Sequence, residues 1–191
     1  GGVMDELEGN SLPLLDIGCG IGILAMYLRE RGWTPPIEGI DYDQDKTERG
    51  QVVIEKGGYE NITISQADAR SGLPIHTGNV TILDILQFFT PAEQEKLIHI
   101  AAGRVCHGGK LIIRSGVKDK SLRFFSTWVG DIFAKMTFWM KAAPTHYPTT
   151  EMFQRVLERD GFVVEIRPFW GKTPFNNYII VAERSMVQPG M

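Results

Sequence analysis

The stretch Leu14 to Gly22, LLDIGCGIG, constrains this chain more than any other. An apolar run from Leu12 to Ile17 closes on three glycines spaced G-x-G-x-G, and helical spacing of Ile21, Leu24 and Leu28 begins at once. A short apolar run ending in glycines reads as a strand buried on both faces of a parallel sheet. Glycine permits the tight turn and lets a ligand approach the backbone closely. A helix over 21–31 follows, with Gly32 just past its charged last turn. A strand, a glycine turn and a helix in that order point to an open α/β sheet, which binds ligands beyond the carboxyl ends of its strands.

The rest of the chain continues the alternation. Strands are predicted at 37–40, ending at Asp41, at 62–65, followed by Asp68, at 80–86 and at 110–114. Helices are predicted at 45–56 and from Pro91 to Cys106, with Pro at a first-turn position. Such alternation implies a Rossmann-like, doubly wound and mostly parallel sheet with helices on both faces. After a helix at 151–159 come two strands, 162–167 and 178–183, with no helix between them, so the last strand is expected to be antiparallel or to lie apart. The first ten residues read as a frayed lead-in. No repeat or linker divides the chain, so a single domain over 1–191 is expected, with a helical insertion at about 118–150.

Composition excludes several classes. With 43% hydrophobic residues the chain can bury a core without disulfides or metal. A net charge of −3 argues against a nucleic-acid binder. Cys19 and Cys106 match no disulfide framework or zinc spacing, so no metal is expected and a reduced, cytoplasmic setting is the simplest reading. No run of about 18 apolar residues is present to span a membrane.

The glycine spacing departs from the dinucleotide fingerprint G-x-G-x-x-G, because position 23 is Ile. Asp16, two residues before the first glycine, would gain nothing beside a pyrophosphate. It suits a ligand bearing positive charge, such as the sulfonium and amino groups of S-adenosylmethionine (SAM). Asp41 can accept hydrogen bonds from ribose hydroxyls and Asp68 from an adenine amino group. The bland alternative is a set of packing glycines and turn carboxylates.

LLDIGCGIG resembles motif I of the class I SAM-dependent methyltransferases, EGIDYD their acidic second-strand end, and ISQADA the segment that holds adenine. The stretch from Val80 to Gly116 is similar to the family's fourth-to-fifth-strand region, and GFVVEIRPFW with NNYIIVAER resembles its antiparallel last two strands. The resemblance implies that Asp16, Gly18, Cys19, Gly20 and Gly22 line the methionine side of SAM. It places Asp41 and Tyr42 at the ribose, Asp68 and Ala69 at the adenine, and Leu83 and Asp84 beneath the sulfonium. Asp84 reads equally well as a turn residue. The helix that precedes the first strand in many members is expected to be missing. In general appearance the chain also resembles methyltransferases of aryl-polyene pigment clusters.

The acceptor side is read from residues outside these motifs. Within the insertion, Leu122, Phe125, Val129, Phe133, Met136 and Met140 keep helical spacing, while Phe124, Trp128 and Phe138 add a second aromatic stripe. Two readings follow, a wall for an apolar or aromatic acceptor or a helix packed into the core. Lys118, Lys120, Arg123, Lys135 and Lys141 outnumber Asp119 and Asp131 there. They suit an acidic carrier protein presenting its cargo, or a solvated face. His146, followed by Tyr147, is the candidate base. Gln87 would orient a polar acceptor, and Arg114 would bind an acceptor carboxylate. Methyl transfer by orientation alone needs no fixed catalytic residue. A non-catalytic SAM-fold binding module is the alternative to an enzyme.

Overall fold

The computed structural model describes residues 2–118, 146–173 and 176–184. The predicted helical insertion, with Phe124 and Trp128, therefore lies outside the described residues apart from its two ends.

Seven strands form one sheet: β1 (Leu14–Ile17), β2 (Ile37–Asp41), β3 (Ile62–Gln66), β4 (Asn79–Leu83), β5 (Lys110–Gly116), β6 (Phe162–Pro168) and β7 (Asn177–Arg184). Their spatial order is β3-β2-β1-β4-β5-β7-β6. The first five run parallel to one another, and β7 runs antiparallel to both β5 and β6. The helices are α1 (Val3–Leu7), α2 (Ile23–Glu30), α3 (Gln44–Gly57), α4 (Pro91–Ala102) and α5 (Thr150–Arg159).

Strand alternation divides the core into two layers. Leu15, Ile17, Val80, Ile82, Leu111 and Ile113 face α4 and α5, meeting Leu97, Ile98, Phe153 and Val156. Leu14, Ile37, Ile62, Ile64 and Ile112 face the other way, meeting Val3, Leu7, Ala25, Leu28 and Ile54 of α1, α2 and α3. At the amino ends of the strands the buried amide of Asn79 binds Asn10, the Leu12 carbonyl and the Lys110 N–H, which locks that edge. Among the described residues no helix is long and apolar enough to cross a membrane.

Four differences from the sequence reading bear on function. The lead-in is not frayed: α1 buries Val3 and Leu7, and Glu6 binds Arg167 and Lys110. Ile21 belongs to the glycine loop and is 38% exposed, while α2 begins at Ile23. The fourth strand stops at Leu83 because Asp84 adopts a left-handed φ of 55°, after which Leu86–Phe88 form a single 3₁₀ turn. Asp tolerates that conformation better than most residues, so it ends an otherwise apolar strand. Finally, α4 stops at Ala102, since Val105 leaves the helix to bridge Gly78.

Candidate active site

Strand order reverses between β1 and β4, which leaves a crevice at the carboxyl edge of the sheet. The glycine loop crosses that crevice. Gly18, Gly20 and Gly22 have φ of 77°, 58° and 80°, the left-handed region that an L side chain resists. Two of them also lack room. A Cβ on Gly18 would sit 2.6 Å from Ile85, and one on Gly22 would sit 2.3 Å from Ile64. Gly20 differs, because a Cβ there would meet nothing within 4 Å. The loop backbone therefore faces open space at Gly20.

The loop is held down by β2. Gly18 and Cys19 donate their N–H groups to the Ile40 carbonyl at 2.8 and 3.0 Å. Asp41 Oδ2 accepts from the Gly20 N–H and Oδ1 from the Asp43 N–H, each at 2.9 Å. So the carboxylate expected at a ribose also organises the loop. Each oxygen carries a second lone pair that these bonds do not use. Tyr42, beside it, is half exposed.

Asp16 is buried at 3% exposure and accepts a 2.7 Å hydrogen bond from the Thr81 hydroxyl, its register partner on β4. Burial pushes its pKa up to about 6, against the hydrogen bond from Thr81, and the neighbouring charge of Asp41 adds to the rise. The Cys19 thiol, pressed against Gly39, is pushed well above the usual thiol range by burial, with Asp16 and Asp41 adding to the rise. It is no nucleophile at neutral pH. Two like charges thus sit under the loop, and among the described residues neither has a cationic partner. A ligand carrying positive charge close to the Gly20 backbone fits this arrangement.

Along the nucleoside direction, Asp68 follows β3 and is half-buried, but it is not alone. Arg70 lies 3.5 Å from its carboxylate, donates to the Phe88 carbonyl, contacts Glu93, and rests its guanidinium 4.3 Å over the Phe89 ring. Ala69 packs against the core. Leu83 ends β4 and is partly buried.

On the other side of the crevice, Asp84 and Arg114 bind each other, with Arg114 Nε 2.8 Å from the carboxylate. Both were expected to meet ligands separately. Arg114 instead spends its guanidinium on Asp84, since the two lie side by side where β4 and β5 pair. Gln87 and His146, far apart in sequence, come together: the His146 N–H donates to the Gln87 carbonyl at 3.3 Å. His146 is exposed and Tyr147 half-buried. The buried amide of Gln94 secures the junction, donating to the carbonyls of Leu86, Phe89 and His146. Sequence reasoning missed Thr81, Gln94 and Arg70. A polar residue inside the apolar VTIL strand and a Gln on the apolar face of α4 were the available signals. Among the described residues no group of three or more His, Cys, Asp or Glu is placed to hold a metal ion.

Comparison with known proteins agrees with this geometry. Residues 14–109 match a family described as "Methyltransferase domain". Ribosomal protein L11 methyltransferase of Janthinobacterium sp. (strain Marseille) is 33% identical over 140 residues, covering 71% of this chain and 43% of that protein. The enzyme of the same name from Bacteroides fragilis (strain YCH46) is 44% identical over 64 residues, covering 34% and 22%. The chain thus spans less than half the length of these curated relatives. Magnesium protoporphyrin IX methyltransferase from Synechocystis PCC 6803, solved with bound S-adenosylhomocysteine (SAH), superimposes with a TM-score of 0.73 at 23% identity, over 96% of this chain and 80% of that one. Mitomycin 7-O-methyltransferase does so with a TM-score of 0.69 at 16% identity, over 94% and 50%. At those identities the likeness speaks for the fold. The matched family segment is half the chain and contains the whole glycine loop with Asp16, Asp41 and Asp68, and on that ground this chain belongs to the class I SAM-dependent methyltransferase family.

Proposed function

We propose that the protein transfers the methyl group of SAM to a small acceptor of apolar or aromatic character. The observation that carries the reading is the pair of buried carboxylates, Asp16 and Asp41, beneath a glycine loop that opens to space at Gly20. When bound, SAM supplies a methyl group on a positively charged sulfur, which an acceptor lone pair displaces in line to leave SAH.

The chain's own residues bind and orient. Gly18, Cys19, Gly20 and Gly22 offer backbone along the methionine side, and Asp16 supplies negative charge below it. Asp41 and Tyr42 are assigned to the ribose, Asp68 and Ala69 to the adenine, and Leu83 and Asp84 to the reacting end. In-line geometry held by such contacts is worth about 7–11 kcal/mol in favourable cases. His146 is the proposed base, and it is dispensable wherever the acceptor attacks without losing a proton. Phe124, Trp128, Arg114 and Tyr147 are assigned to the acceptor side.

Small molecules are preferred as acceptors because the neighbours that superimpose on nearly the whole chain carry small-molecule names. The ribosomal-protein relatives match this chain over a minor part of their own length. The cations of the insertion suit an acceptor tethered to an acidic carrier protein, so both free and carrier-bound acceptors belong in the assay. Calorimetry with SAM, SAH and NADH comes first, followed by transfer of labelled methyl to an acceptor panel. Heat with SAM and SAH is expected, and labelled product from an aromatic acceptor. No heat with either would refute cofactor use. Heat without transfer to any acceptor would favour a non-catalytic binding module, and heat with NADH alone a dinucleotide enzyme.

A further inference from the structure

The amide of Gln87 sits at the boundary between the two halves of the crevice. It is 8% exposed, in the turn that follows β4. Its Nε2 donates to the Asp84 carbonyl at 2.8 Å. A carbonyl can only accept, so this bond fixes which end of the amide is which. The Oε1 atom consequently points away from Asp84, and among the described residues it is buried without a hydrogen-bond partner. Leaving such an oxygen unpaired costs about 1–3 kcal/mol. The buried Asn79 amide, by contrast, is partnered at both its oxygen and its nitrogen.

Three observations place this residue. Ile85, two residues earlier, lies against Gly18, which puts the turn directly beside the glycine loop. The His146 N–H meets the Gln87 carbonyl, so the 146–148 segment borders it on the other side. Asp16, Asp41 and Asp68 stand on β1, on β2 and just after β3, whereas Leu83 and Asp84, assigned to the reacting end, close β4 and immediately precede the turn that carries Gln87. Its position is therefore on the acceptor side of the strand-order reversal, next to the reacting end.

We infer that Gln87 Oε1 accepts a hydrogen bond from the methyl acceptor, so that the site selects molecules with an O–H or N–H at or beside the atom to be methylated. This rests on the methyltransferase reading above and specifies its substrate class: phenols, alcohols, amines or amides over thioethers, tertiary amines and hydrocarbon carbon. A neutral amide oxygen is too weak a base to take the proton. Gln87 holds the donor group and thereby aims the acceptor's lone pair; it is a binding residue.

The test uses matched fragments on the full chain saturated with SAH. Phenol and toluene differ by a hydroxyl in place of a methyl, and their affinities are measured by NMR titration with the Gln87 side-chain amide as one reporter. In the wild type, phenol should shift that amide. The phenol-to-toluene affinity ratio should fall about five- to tenfold in Gln87→Met, the range of one neutral hydrogen bond. SAH affinity and the thermal midpoint of the variant show whether the fold is kept. An unchanged ratio overturns the inference, as does no saturable shift from either fragment. If the variant fails to fold, the wild type still decides: a Gln87 amide indifferent to phenol overturns it. Loss of SAH binding in the wild type would instead overturn the methyltransferase reading, and this inference with it.

Discussion

Replacing Asp16 by Asn removes a buried charge while keeping an oxygen for the Thr81 hydroxyl, and its effect can be worked out in advance. Burial first, then the charge of Asp41, raise the Asp16 pKa from 3.8 to about 6, the Thr81 hydrogen bond opposing them. The native state therefore binds this proton more tightly than the unfolded chain. Its contribution to stability is full below pH 3.8, is lost as pH rises toward 6, and is absent above that. A difference of about 2 pKa units corresponds to about 3 kcal/mol, most of which lies between pH 4 and pH 7.5. Asn has no such titration. Urea unfolding of both proteins at pH 4, 5, 6 and 7.5 gives the difference in stability at each pH. Whatever the amide costs at a fixed pH, that difference should move by about 2–3 kcal/mol in favour of Asp16→Asn from pH 4 to pH 7.5. In parallel, wild-type affinity for SAM should fall by up to about tenfold per pH unit below 6, and the variant should show no such fall. A stability difference constant to within about 0.5 kcal/mol across the range would refute the reasoning.

Three further outcomes follow from the same structure. Gly20→Ala should cost about 1–2 kcal/mol in thermal or urea unfolding, from its left-handed φ alone, and should weaken SAM binding in calorimetry because its methyl occupies the open space. Gln94→Leu should cost about 1–3 kcal/mol, since three carbonyls lose their shared donor, and hydrogen exchange should rise in the turn after β4 and at 146–148. Leu7→Ala should cost about 2–5 kcal/mol in urea unfolding, as expected of a fully buried Leu; a loss under 1 kcal/mol would show that α1 is as frayed as its sequence suggests.

The sheet was legible because its signals are local. Each parallel strand is a short apolar run, and glycines or an Asp mark where it ends, as at Gly18, Asp41 and Asp68. The glycine loop was legible for the same reason, since three left-handed positions demand the residue that tolerates them. What escaped depends on register and packing. Thr81 meets Asp16 only because β1 and β4 pair at that residue, and nothing in either segment announces the pairing. Arg114 looks available until Asp84 leaves the strand and turns toward it. The five residues of α1 are too few for helical periodicity to emerge; packing with Leu14, Trp33 and β7, and the pairing of Glu6 with Lys110 and Arg167, define them. Gln94 interrupts the apolar face of α4, but only the fold shows which two distant segments its amide knits.

The chain leaves the sheet after β5 and rejoins it before α5 through a closed neck. Val117 exchanges hydrogen bonds with Asn176, and the Lys118 N–H donates to the Pro148 carbonyl at 2.9 Å. Once such a neck is formed, the entropy of joining its ends grows slowly, by about 0.6 kcal/mol for each doubling of the enclosed length. The neck thus behaves as a splice point. A change in the number of residues between 118 and 146 should therefore cost the fold little, so long as the Lys118–Pro148 bond and the contacts of His146 with Gln87 and Gln94 are kept.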